Sequence, residues 1–205
     1  MTLIDISPTL HPGTAVFPGD TAFERDVVMD VERGDHLTLS SIRSTVHIGA
    51  HADAPNHYVK GGRAIDAQPL ELYCGPCEVI RVDGARGRRL VPSDLSGAPQ
   101  TPRVLFATGS FPDPNAWNED FSSLSPELVH LLADAGVRLV GIDTPSVDPS
   151  TSKALESHSA VAQRDLAILE GLVLNGVAPG LYRLMAFPLK LSGADASPVR
   201  AVLEC

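Results

Sequence analysis

Four side chains that commonly bind metals fall within one short stretch of the chain: His47, His51, Asp53 and His57. All four positions are odd-numbered, so an extended backbone would place them on one face and the intervening apolar residues on the other. Neutral imidazoles with a carboxylate are the usual ligands of Zn²⁺ or Mn²⁺, and such a site with an open position activates water for hydrolysis. An isolated histidine pair is more often a surface or core feature, but this combination predicts a metal site.

The same stretch must bend if its side chains converge on one ion. Fully extended, residues 47–57 would span about 33 Å at roughly 3.3 Å per residue, whereas the ligands of one metal lie close together. A helix would not align all four side chains, and Gly49 and Pro55 both oppose a helix. We therefore predict that the chain bends at Gly49 and Pro55.

Further ligands are expected from a distant segment that contains His158 and Glu170. The sequence predicts a helix over residues 155–169 that is stopped by Gly171. On one unbroken helix, positions 158 and 170 would be about 18 Å apart at about 1.5 Å per residue. The two residues can reach one site only if His158 precedes the helix or Glu170 lies past its end.

Two aspartates, Asp143 and Asp148, flank Thr144-Pro145-Ser146 just after a predicted strand. Polar residues at the end of a strand often belong to a site, but turn formation explains both aspartates equally well. The sequence leaves both interpretations open.

Composition disfavours several other functions. The chain has 205 residues with 16 Lys plus Arg and 25 Asp plus Glu. The resulting net charge of −9 disfavours binding to nucleic acid or to an anionic membrane. No apolar run approaches the roughly 20 residues that cross a bilayer, and three cysteines are too few for a disulfide framework. We expect a cytoplasmic protein with a single domain over residues 1–205.

The hydrophobic pattern predicts an α/β fold with a mixed, strand-rich sheet and a few helices. Ser125, Pro126 and Glu127 are typical of a helix start, and Gly136 is typical of its end. Several strands in the N-terminal half have no helix between them, which disfavours a purely parallel sheet. Runs typical of strands cover residues 3–6, 37–46, 77–82, 103–107, 138–142, 171–174, 182–191 and 199–203.

The segment from His47 to His57 resembles the H-x-G-T-H-x-D-x-P-x-H signature of the metal-dependent cyclase/kynurenine formamidase family. The resemblance implies a cyclase-like fold and the hydrolysis of an aryl formamide, N-formyl-L-kynurenine, to L-kynurenine and formate in tryptophan degradation. The likeness covers essentially the whole chain, through Phe17-Pro18-Gly19-Asp20, Gly141-Ile142-Asp143-Thr144-Pro145-Ser146, Ala167-Ile168-Leu169-Glu170-Gly171, Leu189-Lys190-Leu191 and Asp195-Ala196-Ser197-Pro198-Val199-Arg200.

A site with two divalent metal ions, usually Zn²⁺ with Mn²⁺ as the alternative, is also implied by the resemblance. At matching positions, His47, His51 and Asp53 would hold one ion. Asp53 would bridge the two ions, while His158 and Glu170 would complete the second, with Glu170 also able to bridge.

The resemblance assigns two further roles. His57 would donate and accept protons and would not be a ligand. Phe17 stands where the family usually has Trp, and it would line a pocket for the aryl group of the substrate. A homodimer or a larger homo-oligomer is implied as well.

The chain departs from the family pattern at two positions near these residues. Ala50 replaces the Thr of the signature, and Ser159 stands where relatives often have a second His. Neither change removes a proposed ligand. Two rival functions are another amide or lactone hydrolase of the same family, similar to isatin hydrolase, and a binding domain that keeps the metal but has lost catalysis. A serine-based route is disfavoured because the sequence has no G-x-S-x-G segment.

Overall fold

Strands outnumber helices in the computed structural model, which describes residues 2–205 of the chain. The two α-helices are α1 (Pro126–Asp134) and α2 (Glu156–Gln163), and several loops contain a short 3₁₀ turn. The strands are β1 (Leu3–Asp5), β2 (Glu24–Met29), β3 (Leu39–Arg43), β4 (His51–Asp53), β5 (Cys74–Arg81), β6 (Arg89–Leu90), β7 (Arg103–Ala107), β8 (Ser123–Leu124), β9 (Leu139–Ile142), β10 (Ala167–Glu170), β11 (Gly180–Met185), β12 (Ala196–Pro198) and β13 (Val202–Glu204).

Nine of these strands form one mixed sheet in the order β1-β13-β11-β5-β7-β9-β10-β4-β12. The central strands β5, β7, β9 and β10 are parallel to their neighbours within this group, and the pairings on either side of the group are antiparallel. Two smaller sheets pair β2 with β3 and β6 with β8. The predicted α/β class with a mixed, strand-rich sheet is therefore confirmed.

Alternate residues of the central strands enter two different cores. In β7, Val104 and Phe106 pack in the core that includes apolar residues of α1 and α2, whereas Leu105 and Ala107 pack in the core on the opposite face. Strands that are buried on both faces have nearly continuous apolar sequences. This burial explains why the sequence alone indicates the strand at residues 103–107.

Helix α1 begins where its capping residues predict. The Ser125 side chain accepts a hydrogen bond from the Leu128 N–H at 3.2 Å, and Pro126 is the first helical residue. Gly136, just after the helix, has a φ of +89°, which glycine adopts without the steric cost of a Cβ atom. Among residues 2–205, no helix is long and apolar enough to cross a bilayer.

The helix predicted over residues 155–169 is too long, and the strand predicted over residues 171–174 is misplaced. Helix α2 ends at Gln163, and residues 167–170 form β10 between β9 and β4. Periodicity cannot distinguish a short apolar run in a buried strand from one in a buried helix. Here hydrogen bonds to the two neighbouring strands make residues 167–170 a strand. Glu170 therefore lies past the end of helix α2, and His158 lies in the first turn of that helix.

Candidate metal centre

The pairing of β4 with β10 places three of the proposed ligands on one face of the sheet. His51 lies opposite Glu170, and Asp53 lies opposite Ile168 in the antiparallel register. Residues directly opposite each other share a face, and Ile168 belongs to the core that includes α2. His51, Asp53 and Glu170 therefore face the helices, while Ala52 packs in the other core.

Helix α2 adds His158 to this face from its first turn. The His158 Nε2 lies 3.4 Å from Asp53 Oδ2 and 3.7 Å from Glu170 Oε1. On the other side of the cluster, His51 Nε2 lies 3.3 Å from Glu170 Oε2. All four side chains are almost completely buried. Residues separated by more than a hundred positions thus meet around the Asp53 carboxylate.

Bends at Gly49 and Pro55, predicted from the sequence, are confirmed. Gly49 has a φ of +55°, and residues Pro55–His57 form a 3₁₀ turn that starts at the proline. These bends bring His47 back to Asp53, with 3.0 Å between His47 Nδ1 and Asp53 Oδ1. They also bring the rings of His47 and His57 to a centroid distance of 4.2 Å.

A second glycine keeps this bend close to β10. Gly171 has a φ of +64°, and a Cβ atom at this position would lie 2.0 Å from the carbonyl oxygen of Gly49. The same carbonyl oxygen lies 2.9 Å from His51 Nδ1, so it can accept a hydrogen bond from this ring nitrogen. The glycine after Glu170 therefore permits the backbone contact that also orients the His51 ring.

Several polar atoms of the cluster fit a cation better than any protein partner. His51 Nε2 and both carboxylate oxygens of Asp53 are buried and make no hydrogen bond with residues 2–205. Burying a carboxylate that accepts no hydrogen bond is costly, and a bound cation offsets that cost. Ligand atoms of His47, His51 and Asp53 all lie within 4.8 Å of one another, as do those of Asp53, His57 and His158. This donor set suits Zn²⁺ or Mn²⁺.

The carboxylates and imidazoles of the cluster shift one another's pKa values. Burial acts to lower the pKa of His47, but the nearby Asp53 and Asp195 carboxylates outweigh it and raise this pKa to about 9. Burial is likewise outweighed at His158, where Asp148 and Asp53 raise the pKa to about 10. Burial acts to raise the pKa of Asp53, but the neighbouring imidazoles hold it well below its usual range. Without a bound cation, protons therefore occupy the cluster.

The structure distinguishes Asp143 from Asp148, the two aspartates whose roles the sequence leaves open. Asp143 accepts hydrogen bonds from the N–H groups of Thr108 and Gly109, both at 2.8 Å, so it fixes a turn at the wall of the cavity described below. Asp148 is fully buried, and its Oδ2 lies 2.8 Å from the Nδ1 of His158. Only Asp148 contacts a proposed ligand, and its position after a predicted strand was the one signal for it in the sequence.

Asp195 is a further residue of the site that was not predicted from the sequence. Its Oδ2 lies 2.9 Å from His47 Nε2 and 3.6 Å from His57 Nδ1, and its side chain is 48% exposed. It belongs to the segment 195–200 that carries part of the family resemblance, and this was the available signal. Asp195 thus contacts both the first proposed ligand and the proposed proton donor.

The cluster lies in a cavity of about 660 Å³ that has an aromatic wall. The rings of Phe17 and Trp117 meet edge to face with their centroids 5.4 Å apart, and the N–H of Ala15 donates to the carbonyl oxygen of Pro114 at 2.9 Å. Two loops therefore form this wall together. Trp117, the single tryptophan of the chain, was missed because nothing near it in sequence marks a site. The lining includes Phe17, His47, His51, His57, Phe111, Trp117, His158 and Glu170.

Fold and site together define an α/β protein with a buried histidine and carboxylate centre at the base of an aromatic cavity. The model of the Cyclase family matches residues 4–149. The match includes His47, Asp53 and His57 and covers more than half of the chain. The chain therefore belongs to the Cyclase family.

Solved structures show the same fold over nearly the full length of the chain. One is described as a potential metal-dependent hydrolase with cyclase activity, with 29% identity, a TM-score of 0.85 and coverage of 98% of this chain and 96% of that chain. A predicted metal-dependent hydrolase from Bacillus stearothermophilus has 29% identity, a TM-score of 0.83 and coverage of 98% and 97%. Isatin hydrolase A from Labrenzia aggregata, bound to benzyl benzoate, has 22% identity, a TM-score of 0.83 and coverage of 98% and 93%.

The raised pKa values predict that metal binding depends on pH. The pKa values of His47 and His158 stand above the ordinary 6.5, at about 9 and about 10. Their ion pairs therefore stabilise the cation-free protein below pH 6.5, and this contribution is lost as the pH rises through those values. A metal must displace these protons, so the apparent affinity for Zn²⁺ should rise roughly tenfold per pH unit for each displaced proton between about pH 6 and 8.

Calorimetric titration with Zn²⁺ in buffers of different ionisation enthalpy measures the protons released. Release of at least one proton per bound ion near neutral pH is the expected result. Binding without proton release would show that the imidazoles of the cluster are not the ligands.

Proposed function

We propose that the protein is a metal-dependent hydrolase that acts as a kynurenine formamidase, converting N-formyl-L-kynurenine and water to L-kynurenine and formate. The observation that carries this proposal is the buried carboxylate of Asp53, which makes no hydrogen bond with residues 2–205 and is surrounded by imidazoles that line a cavity with an aromatic wall. The chain's membership of the Cyclase family supports the hydrolytic class, and the ring-lined cavity supports an aryl substrate.

Five side chains would hold two divalent ions, with Zn²⁺ first and Mn²⁺ as the alternative. His47, His51 and Asp53 would bind one ion, and His158 and Glu170 would bind the other together with the bridging Asp53. Such ions lower the pKa of bound water and stabilise negative charge that develops on a carbonyl oxygen. The depressed pKa of Asp53 means that its carboxylate is charged at neutral pH, as a bridging ligand requires.

His57 is the residue that we assign to proton transfer. Burial lowers the pKa of His57, so the imidazole is neutral near pH 7 and can accept a proton. The hydrolysis adds the oxygen of water to the formyl carbon and breaks the C–N bond. The aniline nitrogen must gain a proton as it leaves, and His57 can return the proton that it has taken from water. The approach of Asp195 to Nδ1 leaves Nε2 for this exchange.

The aromatic wall would select the aryl part of the substrate. Phe17 is half exposed at the edge of the cavity, and Trp117 links it to Phe111, with 6.0 Å between the ring centroids of Trp117 and Phe111. Flat rings stack well against such a wall, either offset or edge to face. The substrate pocket assigned to Phe17 therefore extends to Trp117, which lies in a different loop.

A second candidate is the hydrolysis of an aryl lactam, in the manner of isatin hydrolase. Isatin hydrolase A has the same fold and was solved with benzyl benzoate, an ester that carries two phenyl rings. An aryl lactam would place the same kind of ring against the same wall, and its amide bond would meet the same cluster.

Assays of the purified protein with N-formyl-L-kynurenine and with isatin, each with and without a chelator, test the proposed function. We expect formation of kynurenine, its loss after chelation, and its return after addition of Zn²⁺ or Mn²⁺. Turnover of isatin alone would favour the second candidate. Bound metal without turnover of either would indicate a binding domain, and full activity in a preparation shown to hold no metal would contradict the proposed chemistry.

Replacement of His57 separates a catalytic role from a ligand role. His57→Ala should lower kcat by about 10²- to 10⁴-fold, the usual contribution of a general acid or base, while the metal content measured by mass spectrometry stays unchanged. The ligand atoms of His57 lie within 4.8 Å of those of Asp53 and His158, so loss of metal together with activity would make His57 a ligand. His36→Ala, in an exposed loop, is the matched control.

We also propose that the protein is a homodimer or a larger homo-oligomer. Strand β3 is exposed along its whole length, and the β2–β3 hairpin exposes 62% of Val28, 52% of Leu39 and 70% of Ile42. A lone two-stranded sheet is marginally stable unless something packs against it. Light scattering should show a dimer or larger species, and Ile42→Asp should shift it towards the monomer. Leu181→Asp, which changes an exposed leucine of β11, is the control, and a monomeric wild type would contradict the proposal.

A further inference from the structure

One two-residue segment contacts both residues proposed for the second metal position. The N–H of Val147 donates to Glu170 Oε1 at 2.7 Å. The next residue, Asp148, has its Oδ2 at 2.8 Å from the Nδ1 of His158. His158 is on α2 and Glu170 is on β10, so this segment sets the relative positions of two side chains from different elements.

Asp148 also holds the backbone that carries His158. Its Oδ2 accepts hydrogen bonds from the N–H groups of Ser157 at 3.1 Å and His158 at 3.0 Å. These are free N–H groups of the first turn of α2, and the residue before the helix, Leu155, provides no side-chain cap. The same carboxylate therefore fixes both the start of the helix and the ring of His158.

Arg89 holds Asp148 in place from the other side. Arg89 Nη1 lies 2.7 Å from each of three acceptors, Asp148 Oδ1, Ser157 Oγ and the carbonyl oxygen of Leu124, which share its two hydrogens. Asp148 has no exposed surface, so its charge needs a partner, and the guanidinium group provides one. With both carboxylate oxygens engaged, the side chain has little freedom to rotate.

The other two histidines proposed as ligands, His51 and His47, have weaker hydrogen-bond partners behind their rings. His51 Nδ1 faces a neutral backbone carbonyl, that of Gly49. His47 Nε2 faces Asp195, whose side chain is 48% exposed. A carboxylate behind a metal-binding imidazole fixes its tautomer and raises its basicity. Of these three histidines, His158 is the one whose partner is a buried carboxylate with its charge balanced by an arginine.

We infer that Asp148, clamped by Arg89, is the positioning residue of the second metal position. When an ion is bound, it keeps the remaining proton of the His158 ring on Nδ1, so that Nε2, which faces Asp53 and Glu170, is free to act as the ligand. This inference rests on the proposed function only in requiring a metal at the cluster. It adds that the two metal positions differ in how firmly their ligands are held.

Removal of the Asp148 charge tests the inference through metal affinity. Zn²⁺ titration of Asp148→Asn against a competing chelator should show one ion bound as in the wild type and the other bound about 10- to 100-fold more weakly, the usual effect of losing such a partner. The Co²⁺ absorption spectrum should lose the contribution of one site. The control is Asp94→Asn, because Asp94 also pairs with an arginine, Arg88, and accepts the N–H of Val91 without touching the cluster.

A second variant keeps the test decisive if Asp148→Asn does not fold, as judged by circular dichroism. Arg89→Lys retains Asp148 and a positive charge but loses the planar guanidinium, which contacts Asp148 through Nη1 and Glu156 through Nη2, so it should weaken the same ion by a smaller factor. Wild-type affinity for both ions in the folded variants, or equal weakening of both, would overturn the inference. Failure of the wild type to hydrolyse N-formyl-L-kynurenine would overturn the proposed substrate, but it would leave this metal measurement valid.

Discussion

The buried carboxylate of Asp53 is the constraint around which the site is organised. It is 1% exposed, and its oxygens lie 3.0 Å from His47 Nδ1 and 3.4 Å from His158 Nε2 without forming a hydrogen bond. A charge in such a place destabilises the fold unless cations surround it. Protons on the imidazoles supply positive charge when no metal is bound, and divalent ions are suited to replace them. Binding of the proposed ions would therefore be coupled to folding at this residue.

The sheet keeps Asp53 in this position through its register. Strand β4 has only three residues, but it pairs with β10 on one side and with β12 on the other. A shift of one residue in the pairing with β10 would turn Asp53 and His51 into the apolar core that contains Ala52. The alanines on either side of Asp53 fill that core closely. Close packing on one face thus protects the arrangement of polar groups on the other.

The contacts that orient the rings of His51 and His158 differ in kind. The His51 ring is oriented by the carbonyl of Gly49, which Gly171 can approach because it lacks a Cβ atom. The His158 ring is oriented by Asp148, which also caps helix α2. One side of the centre thus depends on a tight backbone contact and the other on an ion pair with Arg89. These different supports are the physical basis of the unequal metal positions that we infer.

The sequence by itself determined the local features of the site. The alternation of His51 and Asp53 with alanines, and the bends at Gly49 and Pro55, follow from side-chain direction in a strand and from the backbone preferences of glycine and proline, which act over a few residues. Only the tertiary structure decided that residues 167–170 form a strand, because strand pairing depends on distant partners. It also decided that Asp148, Asp195 and Trp117 join the site. Each of these residues lies far along the chain from at least one side chain that it contacts, so no local pattern specifies the meeting.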